Sequence, residues 1–188
     1  GKLASSLPTN VQLLNKEYDM CSVHSKEGRR LLLKKIFKSL FMKGNIIKLF
    51  PYLVKNTCRM AKNKRFLPEK IMWRVLADGA EVFDNTYDLA VAYIEGGAAY
   101  YVAKHVKAKR KIAFLHIDFN LAGYSRMLDE DCYLQFDKVY AISQEVRDTF
   151  ENVYPECKSK TELFNNIINR EEIIKLAKQG EGFKDNYS

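Results

Sequence analysis

The chain has 188 residues, 47% of them hydrophobic, 12% aromatic and 29% charged, with a formal net charge of +8. That much apolar material builds a real core and excludes bulk disorder, and the length suits one domain or one domain with an appendage. No run of 18 apolar residues occurs, which excludes a helix spanning a membrane.

The charge is segmental. Residues 26–70 hold 14 Lys or Arg against two acids, Glu27 and Glu69, while the rest holds 17 bases against 21 acids. A basic segment of this kind points to an anionic surface, either nucleic acid or membrane. The four cysteines, Cys21, Cys58, Cys132 and Cys157, match no zinc or redox spacing and read as reduced and structural. GKLASSLPTN carries no apolar signal-peptide core, so the expected compartment is the cytoplasm.

In chain order, Val11 to Leu14 reads as a short strand after the turn-like Pro8-Thr9-Asn10, and Asp19 to Ser25 as loop. Residues 26–70 are helical by pattern. Leu33, Ile36, Phe37, Leu40 and Phe41 form an apolar stripe among Arg29, Arg30, Lys34, Lys35 and Lys38. Gly44-Asn45 reads as a stop and a new cap, and Pro51 either opens a fresh helix or kinks the next one. Two uses of this segment compete: helices packed on the domain with lysines in water, or a basic amphipathic surface resting on anionic lipid. Nucleic acid is set aside because no stacking motif, zinc finger or helix-turn-helix is legible. Pro68 starts a further helix leading up to Asn85, with Trp73 expected in the core.

Asp88 to Asp118 reads as strand, glycine turn, helix and strand, a βαβ unit of about 30 residues. The first strand, Asp88 to Ile94, is nearly all apolar, as suits a strand covered on both faces. Glu95-Gly96-Gly97 breaks it, Ala98 to Val106 is helical, and Ile112 to Ile117 is the second strand. Phe119 to Asp131 reads as a loop or short helix, and Cys132 to Phe136 as helical. Val139 to Ile142 is the third strand, Ser143 caps a helix over Gln144 to Val153, and Pro155 closes it. Thr161 to Phe164 is the fourth strand, Glu171 to Gln179 a helix, and Gly180 to Ser188 a polar tail. This order predicts an α/β fold: Rossmann-like, with a mostly parallel sheet and flanking helices. Three stretches are expected within one domain: a displaced or loosely ordered 1–25, a basic helical excursion over 26–86, and the Rossmann-like core over 87–188.

Open parallel sheets bind ligands at the carboxyl ends of their strands. Glu95, Gly96, Gly97, His116 and Asp118 converge on that edge. The glycines let backbone approach a ligand, or serve only a tight turn. His116 in an apolar run is either a satisfied core histidine or a site residue. Asp118, two residues on and expected on the same face, would orient it or bind a hydroxyl. Ser143 and Asn166 end the later strands, where helix capping and turn formation compete with ligand binding. Metal is not expected, since no third ligand stands at metal spacing, and no Ser/His/Asp or Cys/His nucleophile arrangement is legible.

The stretches YDLAVAYIEGGAAYYVAKHVKAKRKIAFLHIDF, FDKVYAISQEVRDTF and KTELFNNIIN together resemble the N-terminal domain of family-four retaining glycosyltransferases. These are bacterial enzymes of polysaccharide synthesis with two Rossmann-like domains, the GT-B fold. The resemblance is continuous from about Tyr87 to Lys178 and looser before. It implies His116 as the catalytic-cleft histidine. It implies Gly96 and Gly97 as the glycine turn, and Glu95, Asp118, Tyr124, Ser143 and Asn166 as substrate-binding positions. Asn169 stands where the family carries an acid. It further implies a fragment: first strands missing before Gly1, and a donor-binding C-terminal domain missing after Ser188. The expected activity is that of the full-length enzyme, with the fragment alone inactive. Sugar would pass from a nucleotide-sugar, a substrate and not a cofactor, to a cell-surface glycan or lipid-linked acceptor. The expected setting is the cytoplasm, peripheral on the inner face of the membrane through 26–70, and pairing of two fragment copies is a further expectation. The alternative is a non-catalytic Rossmann-like binding module. A nicotinamide-dependent Rossmann enzyme is disfavoured because GxGxxG with its downstream acid is absent.

Overall fold

Small and branched apolar residues alternate along four short segments, and their inward members are mostly alanine: Ala90, Ala92, Ala113 and Ala141, with Leu115 and Val139. Side chains this small let helices settle close against the strands. The computed structural model of the chain describes residues 7–14, 25–42 and 45–179. The segments form β1 (Thr86–Ala92), β2 (Lys107–Leu115), β3 (Lys138–Ala141) and β4 (Thr161–Leu163). They pair in the order β1-β2-β3-β4, all parallel, with Val91 beside Ile112, Phe114 beside Tyr140 and Tyr140 beside Glu162. The fold is α/β with an all-parallel four-stranded sheet, as the sequence pattern predicts.

Each crossover is helical. Numbered along the chain, α1 is Lys26–Phe37, α2 Asn45–Lys62, α3 Pro68–Gly79, α4 Gly97–His105, α5 Arg126–Asp129, α6 Gln144–Val153 and α7 Arg170–Gln179. α4 joins β1 to β2, α5 and a 3₁₀ turn (Cys132–Gln135) join β2 to β3, and α6 with a second 3₁₀ turn (Pro155–Lys160) joins β3 to β4. Consecutive strand order with right-handed crossovers winds every connection onto the same side of the sheet. The burial follows: alternate residues are buried, while Leu89, Val91 and Tyr93 on the other side are 50%, 43% and 66% exposed. The apolar run of β1 is therefore covered on one face, not both. The open face carries an aromatic row. Tyr93 meets Phe114 at 5.2 Å, Phe114 meets Tyr140 at 5.3 Å, and Phe164 closes on both.

Beneath the helices lies a second aromatic cluster, Phe119, Tyr133, Phe136, Phe150 and Tyr154, all buried, with most rings edge-on at 5–6 Å. Edge-to-face packing suits the ring quadrupoles. α1 to α3 form an outer layer with its own core of Leu49, Tyr52, Met60, Ile71, Val75 and Leu128. A π-helical turn, Lys38–Met42, follows α1. There Ser39 Oγ donates to the Val75 carbonyl at 2.5 Å, and a Cβ on Gly79 would strike Ser39, so α3 passes the turn at backbone distance.

Several boundaries move. Val11 to Leu14 forms no strand; Val11 N–H closes a turn on the Pro8 carbonyl, and β1 pairs only with β2 among the described residues. Four residues without a partner strand cannot satisfy their backbone groups as sheet. Leu14 instead lines a groove of about 300 Å³ beside Tyr87, Leu89 and Val106. α2 runs through Pro51 without ending. α3 stops at Gly79 and does not reach Asn85. Trp73 is 43% exposed and lies over Gly97 and not in the core. Residues 1–6 and 15–24, Cys21 among them, with residues 43–44 and the tail from Gly180, lie outside the described residues. Cys58, Cys132 and Cys157 are free thiols.

Candidate functional site

The site begins where β1 and β2 end. In the β1–β2 register Ala92 lies beside Ala113. Three residues further along each chain, Glu95 arrives beside His116. The Glu95 side chain is 8% exposed, its Oε2 accepts the His116 backbone N–H at 3.1 Å, and the same oxygen stands 3.9 Å from His116 Nδ1. That nitrogen is buried and has no hydrogen-bond partner. The imidazole, a quarter exposed, packs on Tyr93 at 5.1 Å and borders the open aromatic face. A buried carboxylate thus sits beside a buried, unpaired ring nitrogen, and the remaining, exposed part of the imidazole is what a ligand hydroxyl could meet.

Gly96 turns the chain into α4 with φ +76°, and a Cβ there would stand 2.8 Å from Tyr124 Oη. Both the backbone region and the contact require glycine. At Gly97 a Cβ would meet the Trp73 ring at 3.3 Å. Both glycines therefore have a packing reason in addition to any ligand. Tyr124 is buried, stacked on Phe119 at 5.1 Å, with Lys70 Nζ 4.0 Å above its ring. Burial, reinforced by the nearby Glu95 charge, pushes its phenol well above the usual range, so it stays a neutral hydroxyl.

Asp118 does not orient His116. β2 ends at Leu115, so the strand alternation that would align the two is lost, and Asp118 Oδ1 instead accepts the Leu121 N–H at 2.6 Å, closing the 118–124 turn. The carboxylate partner of His116 is Glu95. Ser143 serves as the N-cap of α6, its Oγ accepting from Val146 N at 3.3 Å. Asn166 is exposed past the end of β4. By strand order Ser143 and Asn166 share the carboxyl edge with His116, one and two strands away. Asn169 caps the following helix, its Oδ1 accepting from Glu172 N at 3.1 Å. Among the described residues no group of three or more His, Cys, Asp or Glu could hold a metal ion.

One buried acid escaped sequence reading. Asp129 is fully buried, with Tyr100 Oη donating to it at 2.7 Å and Tyr154 Oη at 3.3 Å. Burial raises its carboxyl to about 7 against those two hydrogen bonds. It supports the floor of the 118–136 connection and does not reach the strand-end site.

Comparison of the chain with protein-family models, with curated proteins and with solved structures returned no match.

Proposed function

We propose that this chain is the acceptor-side domain of a sugar-transferring enzyme that moves a sugar from a nucleotide-sugar to a glycan or lipid-linked hydroxyl. The observation that carries the reading is the meeting of Glu95, Gly96, His116 and Tyr124 at the carboxyl ends of two adjacent parallel strands. Ligands bind such edges in open parallel sheets. In this reading Glu95 holds the His116 backbone, and the exposed edge of the His116 ring and the neutral Tyr124 hydroxyl meet sugar hydroxyls. The resemblance of these strand-end segments to retaining glycosyltransferases supports the same assignment. In this reading donor binding falls to a second domain joined to this one. The expected result is no transfer from a nucleotide-sugar by the 188-residue chain, and transfer once the chain is joined to a donor-binding domain. Turnover by the chain alone would overturn the division of labour.

Two exposed stripes support a second element, docking on anionic membrane. Leu33, Phe37 and Phe41 are 65%, 62% and 51% exposed, one helical turn apart, and Ile47, Phe50 and Val54 repeat the pattern on α2. Exposed Arg30, Lys34, Lys48 and Lys55 lie among them. Apolar side chains in water beside cations suit the boundary between lipid headgroups and acyl chains. No helix of the described residues is long and apolar enough to cross a membrane. Replacing Leu33, Phe37 and Phe41 together by Ser should lower co-sedimentation with phosphatidylserine vesicles by about tenfold or more. Adding salt should weaken binding of the natural chain. Binding indifferent to both the substitutions and the salt would exclude this surface.

The open aromatic face favours a second reading, a non-catalytic module whose sheet holds a partner, a glycan or another copy. Tyr93, Phe114, Tyr140 and Phe164 form a continuous surface of the kind that monomers rarely leave in water. Absence of transfer by the chain joined to a donor-binding domain would favour this reading over the first.

A further inference from the structure

The outer helices and the 118–125 turn flank a second, partly open cavity of about 260 Å³, lined by amide, hydroxyl and guanidinium groups beside Met60, Leu67 and Leu128, and by no acid. Its walls include Asn56, Arg59, Asn63, Arg65, Asn120 and Ser125, and Tyr124 separates it from Gly96. Arg59 Nη1 donates to Ser125 Oγ at 2.5 Å. Arg65 donates to the carbonyls of Asn120, at 3.3 Å, and Leu121. All three acceptors are neutral, so neither guanidinium has its charge cancelled by a group within the cavity. A guanidinium has five N–H donors, and these bonds use one from Arg59 and two from Arg65. The carboxylates that flank the turn in sequence are committed elsewhere: Asp118 to Leu121 N–H, Asp129 to Tyr100 and Tyr154. Gly123 keeps the cavity open. Its φ is +78°, and a Cβ would collide with Leu67 and come within 3.6 Å of the Arg65 guanidinium.

Two forked cations with spare donors, further amide and hydroxyl groups and no competing acid match a phosphoryl group, whose oxygens accept several bonds at once. We infer that this cavity binds a phosphate or diphosphate group, with Arg65 and Arg59 as its principal ligands. The inference stands apart from sugar transfer, since binding is measured without turnover.

Isothermal titration of the 188-residue chain with inorganic pyrophosphate at low salt should show saturable one-to-one binding. Arg65→Gln should weaken it by about tenfold to a hundredfold, the value of a charge-assisted pair. Arg65→Lys, which keeps the charge but loses the fork, should weaken it less. Lys158→Gln, the same charge change at an exposed lysine elsewhere, should leave it unaltered. Phosphatidic acid vesicles separate the two sources of the group. If a lipid headgroup is the ligand, pyrophosphate and Arg65→Gln both weaken attachment to phosphatidic acid vesicles more than to phosphatidylserine vesicles. If a water-soluble diphosphate is the ligand, Arg65→Gln loses pyrophosphate binding and keeps vesicle binding. The inference is overturned if pyrophosphate shows no saturable binding up to about 10 mM, too weak for a specific site. Equal weakening by Arg65→Gln and Lys158→Gln would overturn it as well, because the effect would then be net charge alone.

Discussion

Asp129→Asn should stabilise the protein at pH 8 and flatten its stability between pH 4 and pH 7. The native carboxyl titrates at about 7 against an ordinary value of 3.8, because it is buried beneath Tyr100 and Tyr154. A raised native pKa means that the folded state holds its proton more tightly than the unfolded state. The associated stability is complete below about pH 4 and is lost as the pH rises through 7. At about 1.4 kcal/mol per unit, the natural protein loses up to roughly 4 kcal/mol across that window. Asn keeps an oxygen for the Tyr100 hydroxyl and carries no charge to desolvate. The variant's melting temperature at pH 8 should therefore exceed the natural one by about 10 °C, and the difference should vanish near pH 4. Asp78 runs the other way. Burial raises its carboxyl, but the hydrogen bonds from His105 and Arg74 outweigh that and hold it below the ordinary value. Its contribution is lost only as the pH falls through that depressed pKa, below the Asp129 window. Denaturant unfolding at pH 8, 6 and 4 checks the prediction; a variant less stable than the natural chain at pH 8 would contradict it.

Asp129 was invisible in the sequence because it stands in LDED, a polar run that reads as solvated loop. Only the wrapping of the 118–136 connection beneath α4 and α6 buries it. The parallel sheet was legible for the opposite reason. Apolar runs over Asp88 to Ile94 and Ile112 to Ile117, with a glycine break and a helical repeat between, are local information, and chain order sets the pairing. The single-sided cover of the sheet was not legible: an apolar run such as Leu89 to Ile94 looks the same whether one face or both are packed. Winding direction decides it, and winding is a property of all four strands together. His116 was found because its position at a strand end is sequential. Its true partner was misread because Asp118 is close in sequence, whereas Glu95 is close only through the β1–β2 register. Extending that register past the strand ends would have found the pair. Trp73 was assigned to the core on its size alone, and α3 instead turns it outward over Gly97. In residues 26–70 the apolar stripe divides: Ile36 and Leu40 pack inward, while Leu33, Phe37 and Phe41 face out.

The largest expected effect belongs to His116. Its Nδ1 is buried, unpartnered and 3.9 Å from a carboxylate that already grips its backbone. The quarter of the ring that stays exposed is what can meet a hydroxyl, and positioned proton-transfer groups contribute about 10²–10⁴ in rate. Glu95→Gln separates two roles, since an amide oxygen retains the bond from the His116 N–H while the charge is removed. The most direct measurement is sugar transfer from a nucleotide-sugar by the chain joined to a donor-binding domain, comparing the natural residues, Glu95→Gln and His116→Ala. The account predicts a fall of about a hundredfold or more for His116→Ala, with unfolding temperature unchanged, and a smaller fall for Glu95→Gln. Undiminished turnover with His116→Ala would remove the strand-end pair from the chemistry.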